Sequence, residues 1–410
     1  MMMETKRTAI LLFSLVLTFT PNLFVWGQDK NEPKSEDYTQ KLEKRLQILE
    51  QTVRELQEKL ESRTSSTESP SKAEAPQVPK AATQPVVQDA PKRDHPMKFS
   101  GYLFGDYYWV GANHDNSLED QNGFWIRRIY LTFDKPLTET IDARLRFEMN
   151  SAGDFRSRSK LDPFVKDAYV RWKFSGGHQA YIGLSSTPTW DVVEKVWGYR
   201  SVEKTALDLQ KMGSSRDLGV AFKGSLDSGK KVRYHFMLAN GSGTRSEIDE
   251  GKKTLFSLGF YPTDSVILEF YSDYDNRPQN ADRRTFQGFL AYQREWGRLG
   301  VQYAHQIRDG TPDLKLDALS FFGVYKLSPR VSLFGRYDRM FDPNPEGAKI
   351  SYIPFDPSAK SHLFLGGIDL KVCEEFSLMP NVEVVRYDKL GDGTRPGTDF
   401  IPRVTFFYRF

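Results

Sequence analysis

Cysteine is almost missing from this chain: Cys373 is the single one in 410 residues. One thiol excludes an intramolecular disulfide framework and any cysteine-based zinc cluster. Long hydrophobic runs are missing too. Beyond the N-terminus no stretch of about 18 apolar residues occurs, which excludes a bundle of membrane helices. Charge of one sign is not in excess: 57 Lys and Arg stand against 54 Asp and Glu, a net +3. With no basic run, a general nucleic-acid binder is not expected. Histidine is scarce, the six being His95, His114, His178, His235, His305 and His362. None sits in a Gly-x-Ser-x-Gly or His-Glu-x-x-His motif, so no enzyme is expected. No cofactor or metal motif is present, and none is expected.

Aromatic residues make up 13% of the chain, at a mean hydropathy of −0.55. That combination suits a soluble β protein or a transmembrane barrel, whose lipid face is only every second residue.

Three segments precede the body. Residues 1–27 read as an export signal. Lys6 and Arg7 form its positive end, the apolar core runs from Ala9 to Phe19, and Val25-Trp26-Gly27 offers a cleavage site before Gln28. The other reading is a membrane anchor, for which the core is short. Residues 28–60 read as a helix. Leu42, Leu46, Leu49, Val53, Leu56 and Leu60 alternate steps of four and three, the spacing of a coiled-coil seam. An oligomerising coil in the periplasm is expected; the alternative is a lone amphipathic helix lying on a partner. Residues 61–97 are rich in Ser, Thr, Ala, Pro, Gln and Lys with no apolar period, the composition of a disordered linker.

From Lys98 to Phe410 the period becomes two. Ile141, Ala143, Leu145, Phe147 and Met149 alternate with Asp142, Arg144, Arg146, Glu148 and Asn150, which puts the two sets on opposite faces of a strand. Similar segments start near residues 98, 124, 141, 165, 179, 217, 232, 255, 266, 285, 298, 317, 331, 363, 376 and 401. Faces are ambiguous in 317–325 and 363–370. The expectation is an all-β, antiparallel up-and-down transmembrane barrel of about 16 strands. Tyr107, Trp109, Trp125, Phe133, Trp172 and Phe174 stand at strand ends as girdle residues would. The chain ends with Val404, Phe406, Tyr408 and Phe410 on one face. This looks like the terminal signal that the barrel-insertion machinery reads in outer-membrane proteins. About sixteen strands leave a water-filled channel.

The body resembles the phosphate-selective porin O and P family. The carrying pieces are Phe99-Ser100-Gly101-Tyr102, residues 123–131, Lys166-Asp167-Ala168-Tyr169-Val170, Tyr181-Ile182-Gly183-Leu184 with Thr187-Pro188, Ser215-Arg216-Asp217-Leu218-Gly219-Val220, Asn240-Gly241 and Gly335-Arg336-Tyr337-Asp338. The resemblance implies a sixteen-stranded barrel in the outer-membrane lipid, a homotrimer and an inward-folded loop that narrows the pore.

The polar strand faces name the pore-lining candidates: Arg128, Arg144, Arg146, Arg171, Lys173, Arg336, Arg403 and Arg409, with Glu148 and Asp167 among the acids. Arginine rings select anions, so passive diffusion of small solutes with a weak anion preference is one reading. Salt bridging without selectivity is the other. Arg127 shares its face with Trp125, Ile129 and Leu131 and is expected near the membrane interface or a subunit contact. Residues 187–213, with Trp190, Trp197, Arg200 and Lys204, form a long aperiodic stretch that either constricts the lumen or lies on the surface. An alternative function is a barrel-anchored tether joining the outer membrane to the cell wall through the coil.

Overall fold

Each strand of the body pairs antiparallel with the next, and the last returns to the first. The computed structural model describes residues 96–158 and 160–410. The expected signal peptide, the coil with its six seam residues, and all but the last two residues of the linker lie outside them.

The sixteen strands are β1 (Lys98–Trp109), β2 (Asn122–Pro136), β3 (Ile141–Asn150), β4 (Asp162–Lys173), β5 (Gln179–Ser186), β6 (Arg216–Ser225), β7 (Val232–Ala239), β8 (Lys253–Thr263), β9 (Val266–Asp275), β10 (Arg283–Arg294), β11 (Gly297–Arg308), β12 (Leu314–Ser328), β13 (Val331–Met340), β14 (Ser361–Lys371), β15 (Phe376–Tyr387) and β16 (Asp399–Arg409). β1 and β16 close the barrel, with Tyr102 opposite Arg409 and Tyr108 opposite Arg403. Closure leaves no unpaired edge, the condition a sheet must meet to sit in lipid.

The period of two sets which side is wet. On β10, Phe286, Leu290 and Tyr292 are exposed on the outer face, while Thr285, Gln287, Phe289 and Ala291 are buried inside. The outer face carries exposed Leu145, Val170, Ile182, Leu238, Phe270 and Phe321 around the barrel. An apolar outside and a polar inside invert a soluble protein and match a lipid-facing wall. Val404, Phe406, Tyr408 and Phe410 belong to that outer face, with Ile401, Arg403 and Thr405 buried on the inner one.

The two barrel ends differ. Turns such as 264–265, 295–296 and 329–330 are short and share their end with both ends of the barrel segment. Loops such as 187–215 and 341–360 are long and share the other.

Those two long loops fold inward. The first carries α1 (Asp191–Trp197) and α2 (Ala206–Leu209). Trp190, Val193, Trp197, Leu207 and Met212 bury against Phe289, Ala304, Phe322 and Phe334 of the inner wall. Each such apolar side chain contributes about 1.5–3 kcal/mol when fully buried. Gly198 ends α1 at φ 72°, where its N–H reaches the Glu194 carbonyl; the left-handed turn is one that glycine adopts without strain. The second loop places Ile350, Ile353 and Phe355 in a cluster with Leu209, Leu363, Val385 and Ile401. The loops are clamped together where the Asn344 amide donates to the Gln210 carbonyl and to its Oε1, both at 2.9 Å.

Candidate functional site

Two β-bulges load the inner wall with charge. Between β1 and β2 the register steps from Phe104 opposite Arg128 to Gly105 opposite Ile126, leaving Arg127 as the extra residue. Between β3 and β4 it steps from Arg146 opposite Asp167 to Phe147 opposite Val165, leaving Lys166 extra. A bulge sends two consecutive residues to one side. Arg127 and Arg128 therefore both point inward, as do Lys166 and Asp167.

This corrects the expectation for Arg127, which is neither at the membrane interface nor in a subunit contact. It is 1% exposed. Its Nη2 lies 2.8 Å from Glu203, its Nη1 3.4 Å from Asp106, and the same Nη1 donates to the Val202 carbonyl at 2.6 Å. Its guanidinium carbon sits 4.2 Å from the ring centre of Tyr352, from the second loop. Trp125 is the matching correction. Upstream of the bulge its face is the inner one, where it stacks on Tyr108 at 4.1 Å and donates to Asp106 instead of joining a girdle. Arg403 completes the cluster, 3.2 Å from Glu383 and 3.5 Å from Asp106, with a further bond to the Tyr352 carbonyl. Buried charges of this kind need partners on all sides, and this one fastens both loops to β1, β2, β15 and β16.

Arg336 is similarly sealed. It faces inward, but bonds Asp338 at 2.8 Å and the Lys204 carbonyl beneath the first loop. Arg336 and Arg403 thus hold loops to the wall instead of meeting solute. Arg409 stands exposed at the strand end and reaches the Glu374 carbonyl across a turn, away from the constriction.

The open part of the lumen lies along β2–β6. Arg144 and Arg171 each keep 30% of the side chain accessible there. Carboxylates on this wall are mostly shared between two cations. Glu148 accepts from Arg128 at 2.7 Å and Lys166 at 3.0 Å. Asp167 pairs with Arg146 at 3.4 Å and with Arg216. Asp142 takes Arg171 and Lys173, both at 2.7 Å. Asp134 holds Arg144 alone, at 2.7 Å. Seven cations thus pair with these four carboxylates. Opposite, the first loop presents Arg200 bonded to Glu194 and Asp208, and its charge reaches Glu148 and Tyr130 across the gap. Burial pushes the nearby Lys204 ammonium down to about 8, with the charge of Asp208 working against the shift.

Comparison with known proteins locates this wall. Residues 102–188, which hold both bulges and most of the paired cations, match the family model described as phosphate-selective porin O and P. Over these residues the chain is similar to that porin family. The protein is an outer-membrane channel for small solutes, and its strands are the membrane-spanning elements. No curated protein matches it significantly. Among solved structures, the porin fold is shared with OmpF of Salmonella typhi in complex with daunomycin at a TM-score of 0.57 and 12% identity, covering 77% of this chain and 98% of that one. An anion-selective porin from Comamonas acidovorans matches at 0.56 and 12%, covering 77% and 100%. A trimer form of OmpT from Vibrio cholerae matches at 0.52 and 12%, covering 77% and 99%.

Sequence patterning could not find Lys166, Arg216 or Asp106 as parts of the lumen charge, and left Arg200 on a stretch either constricting the lumen or lying on the surface. Lys166 sits off-phase because of its bulge. Arg216 and Arg200 belong to a strand end and a loop, where no period applies. Asp106 lies buried on the inner face of β1, and nothing in the sequence says which cations meet it.

Proposed function

We propose that the porin is a trimeric diffusion channel with a preference for small anions, and that its filter is the gap between the first inward loop and the β2–β6 wall. The observation that carries this is the sharing of carboxylates. A carboxylate held by two cations leaves net positive charge on the wall, and arginine grips phosphate and carboxylate in a two-pronged fork. Arg128, Arg144, Arg146, Arg171 and Lys173, with Glu148 and Asp167, are the residues we assign to it. On this reading the protein performs no chemistry on its solute. Residues 28–60 form a coil in the periplasm that supports the trimer, and Val404, Phe406, Tyr408 and Phe410 form the signal for barrel insertion.

The test is planar-bilayer recording under a salt gradient. Wild type should give conductance steps grouped in threes with an anion-signed reversal potential. Replacing Arg144 and Arg146 with alanine should move that potential toward zero. An unmoved potential would remove both from the filter.

The state of Lys204 adds a pH dependence. A lysine titrating near 8 is charged below that value and neutral above it. Anion preference should therefore weaken as pH rises through this range, and Lys204→Met should abolish the change. A reversal potential with no slope between neutral and alkaline pH would contradict this role.

A further inference from the structure

The outer wall is not uniform around its long-loop rim. Six successive strands, β10 to β15, each present a basic side chain outward there: Arg284, His305, Lys315, Arg339, His362 and Arg386. Their register makes them a band. Arg339 is opposite His362, and His362 is opposite Arg386. Phe286 is opposite His305, one alternate position below Arg284. Around the rest of the rim the outer face carries Phe400, Tyr107, Phe124 and Leu238 at the corresponding strand ends.

Four of the basic groups have carboxylate partners that orient them. Arg284 bonds Asp309, His305 lies 2.9 Å from Asp317, and Asp388 is shared by Arg339 at 2.5 Å and His362 at 3.1 Å. Lys315 and Arg386 are exposed and have no ion-pair partner among the described residues.

Below this band the lipid-facing wall is notched. A groove of about 410 Å3 opens on the outer face, lined by Phe260, Leu268, Phe270, Leu290, Val301 and Tyr303. Its floor is Gly288, opposite Tyr303 in the register. A Cβ built on Gly288 meets nothing within 4 Å. Gly288 is four residues along β10 from Arg284, about 13 Å at strand rise. Its volume is in the range of small-ligand pockets, about 300–1,000 Å3.

We propose that this face holds a phosphorylated glycolipid of the outer leaflet, with its phosphates on the basic band and one acyl chain in the Gly288 groove. The inference rests on the outer-membrane placement and is independent of what the lumen conducts. In the outer membrane the face meets lipid, which fixes the apolar half of the occupant. A charged side chain on the lipid face is costly at the midplane and cheap near the interface, so the band marks headgroup depth. Guanidinium and ammonium groups call for phosphate at that depth.

The experiment uses the folded, detergent-purified full-length porin and diphosphoryl lipid A, with retained lipid counted by native mass spectrometry. Wild type should keep lipid A and bind a dephosphorylated analogue about tenfold less, a difference of about 1.4 kcal/mol. Replacing Arg284, Arg339 and Arg386 with alanine should cut lipid A retention to the level of that analogue. Gly288→Leu adds a Cβ that meets nothing and puts side chain into the groove, and should lower retention of both lipids while leaving heat-modifiable gel mobility and conductance unchanged. Equal binding of the two lipids by wild type, or undiminished binding by the triple variant, would overturn the proposal. So would occupancy by inorganic phosphate alone with no lipid retained. Conductance and reversal potential are read on the same samples, so a failure of the lipid site and a failure of the channel reading appear as separate results.

Discussion

Replacing Arg127 with alanine should destabilise the folded porin by about 3–5 kcal/mol, the usual cost of stripping one partner from a buried ion pair. The guanidinium meets Asp106 and the Val202 carbonyl through Nη1 and Glu203 through Nη2. Removing it leaves Glu203 buried beside Lys204 with its strongest partner gone. Asp106 keeps only the longer contact to Arg403, at 3.5 Å, and its bond from Trp125. The measurement is the temperature at which the compact, heat-modifiable band converts to the unfolded one. Arg127→Lys should recover part of the loss, because a point charge cannot reach two carboxylates and a carbonyl at once. If the alanine variant melts with wild type, water must reach Glu203 and Asp106, and the cluster would not be the fastening described above.

The second large effect is expected from the loop that supplies Tyr352. Exchanging residues 346–357 for a short Gly-Ser linker should raise single-channel conductance several-fold and weaken ion preference. The exchange removes Ile350, Ile353 and Phe355 from the lumen, together with the Tyr352 hydroxyl that donates to the Arg127 carbonyl at 2.9 Å. Barrel closure does not depend on this loop, since no residue of it takes part in the strand pairing. Folded protein is therefore expected. Unchanged conductance would mean that the sealed sector next to β15 and β16 stays closed without the loop.

The barrel itself was legible in the sequence. Every expected strand start lies within three residues of the observed one, because the outer apolar residues repeat at the period of a strand and the turns are marked by Gly, Asn, Asp and Pro. The ambiguous stretch 317–325 resolved through its neighbours. Asp317 is opposite His305 on the outer face, so Phe321 and Tyr325 face out while Phe322 and Val324 lie buried under the first loop. An inner face covered by a loop becomes apolar, and there the alternation that labels inside and outside fades. The filter was only half legible for a related reason. Arg144 and Arg146 sit on β3, whose period is unbroken, and Arg171 sits on β4 beyond its slip, whereas Arg127 and Lys166 sit where the period slips. Arg336 and Arg403 were legible as inward, but whether a loop would cover them depends on contacts 132 and 51 residues away in sequence.

The two slips in strand pairing have a meaning beyond charge placement. An alternating strand works like a reading frame: each position is assigned to lipid or to lumen by parity alone. At Arg127 and Lys166 one added residue shifts that frame over half a strand, so Trp125 reads as wet and Ile126 as greasy, opposite to the assignment that the downstream half would give them. A channel wall can thus gain or lose a lumen charge by insertion or deletion of a single residue, with strand number and circumference unchanged. In such a fold, a gap of one in the comparison of two relatives within β2 or β4 would say more about what passes through than a substitution at the same place.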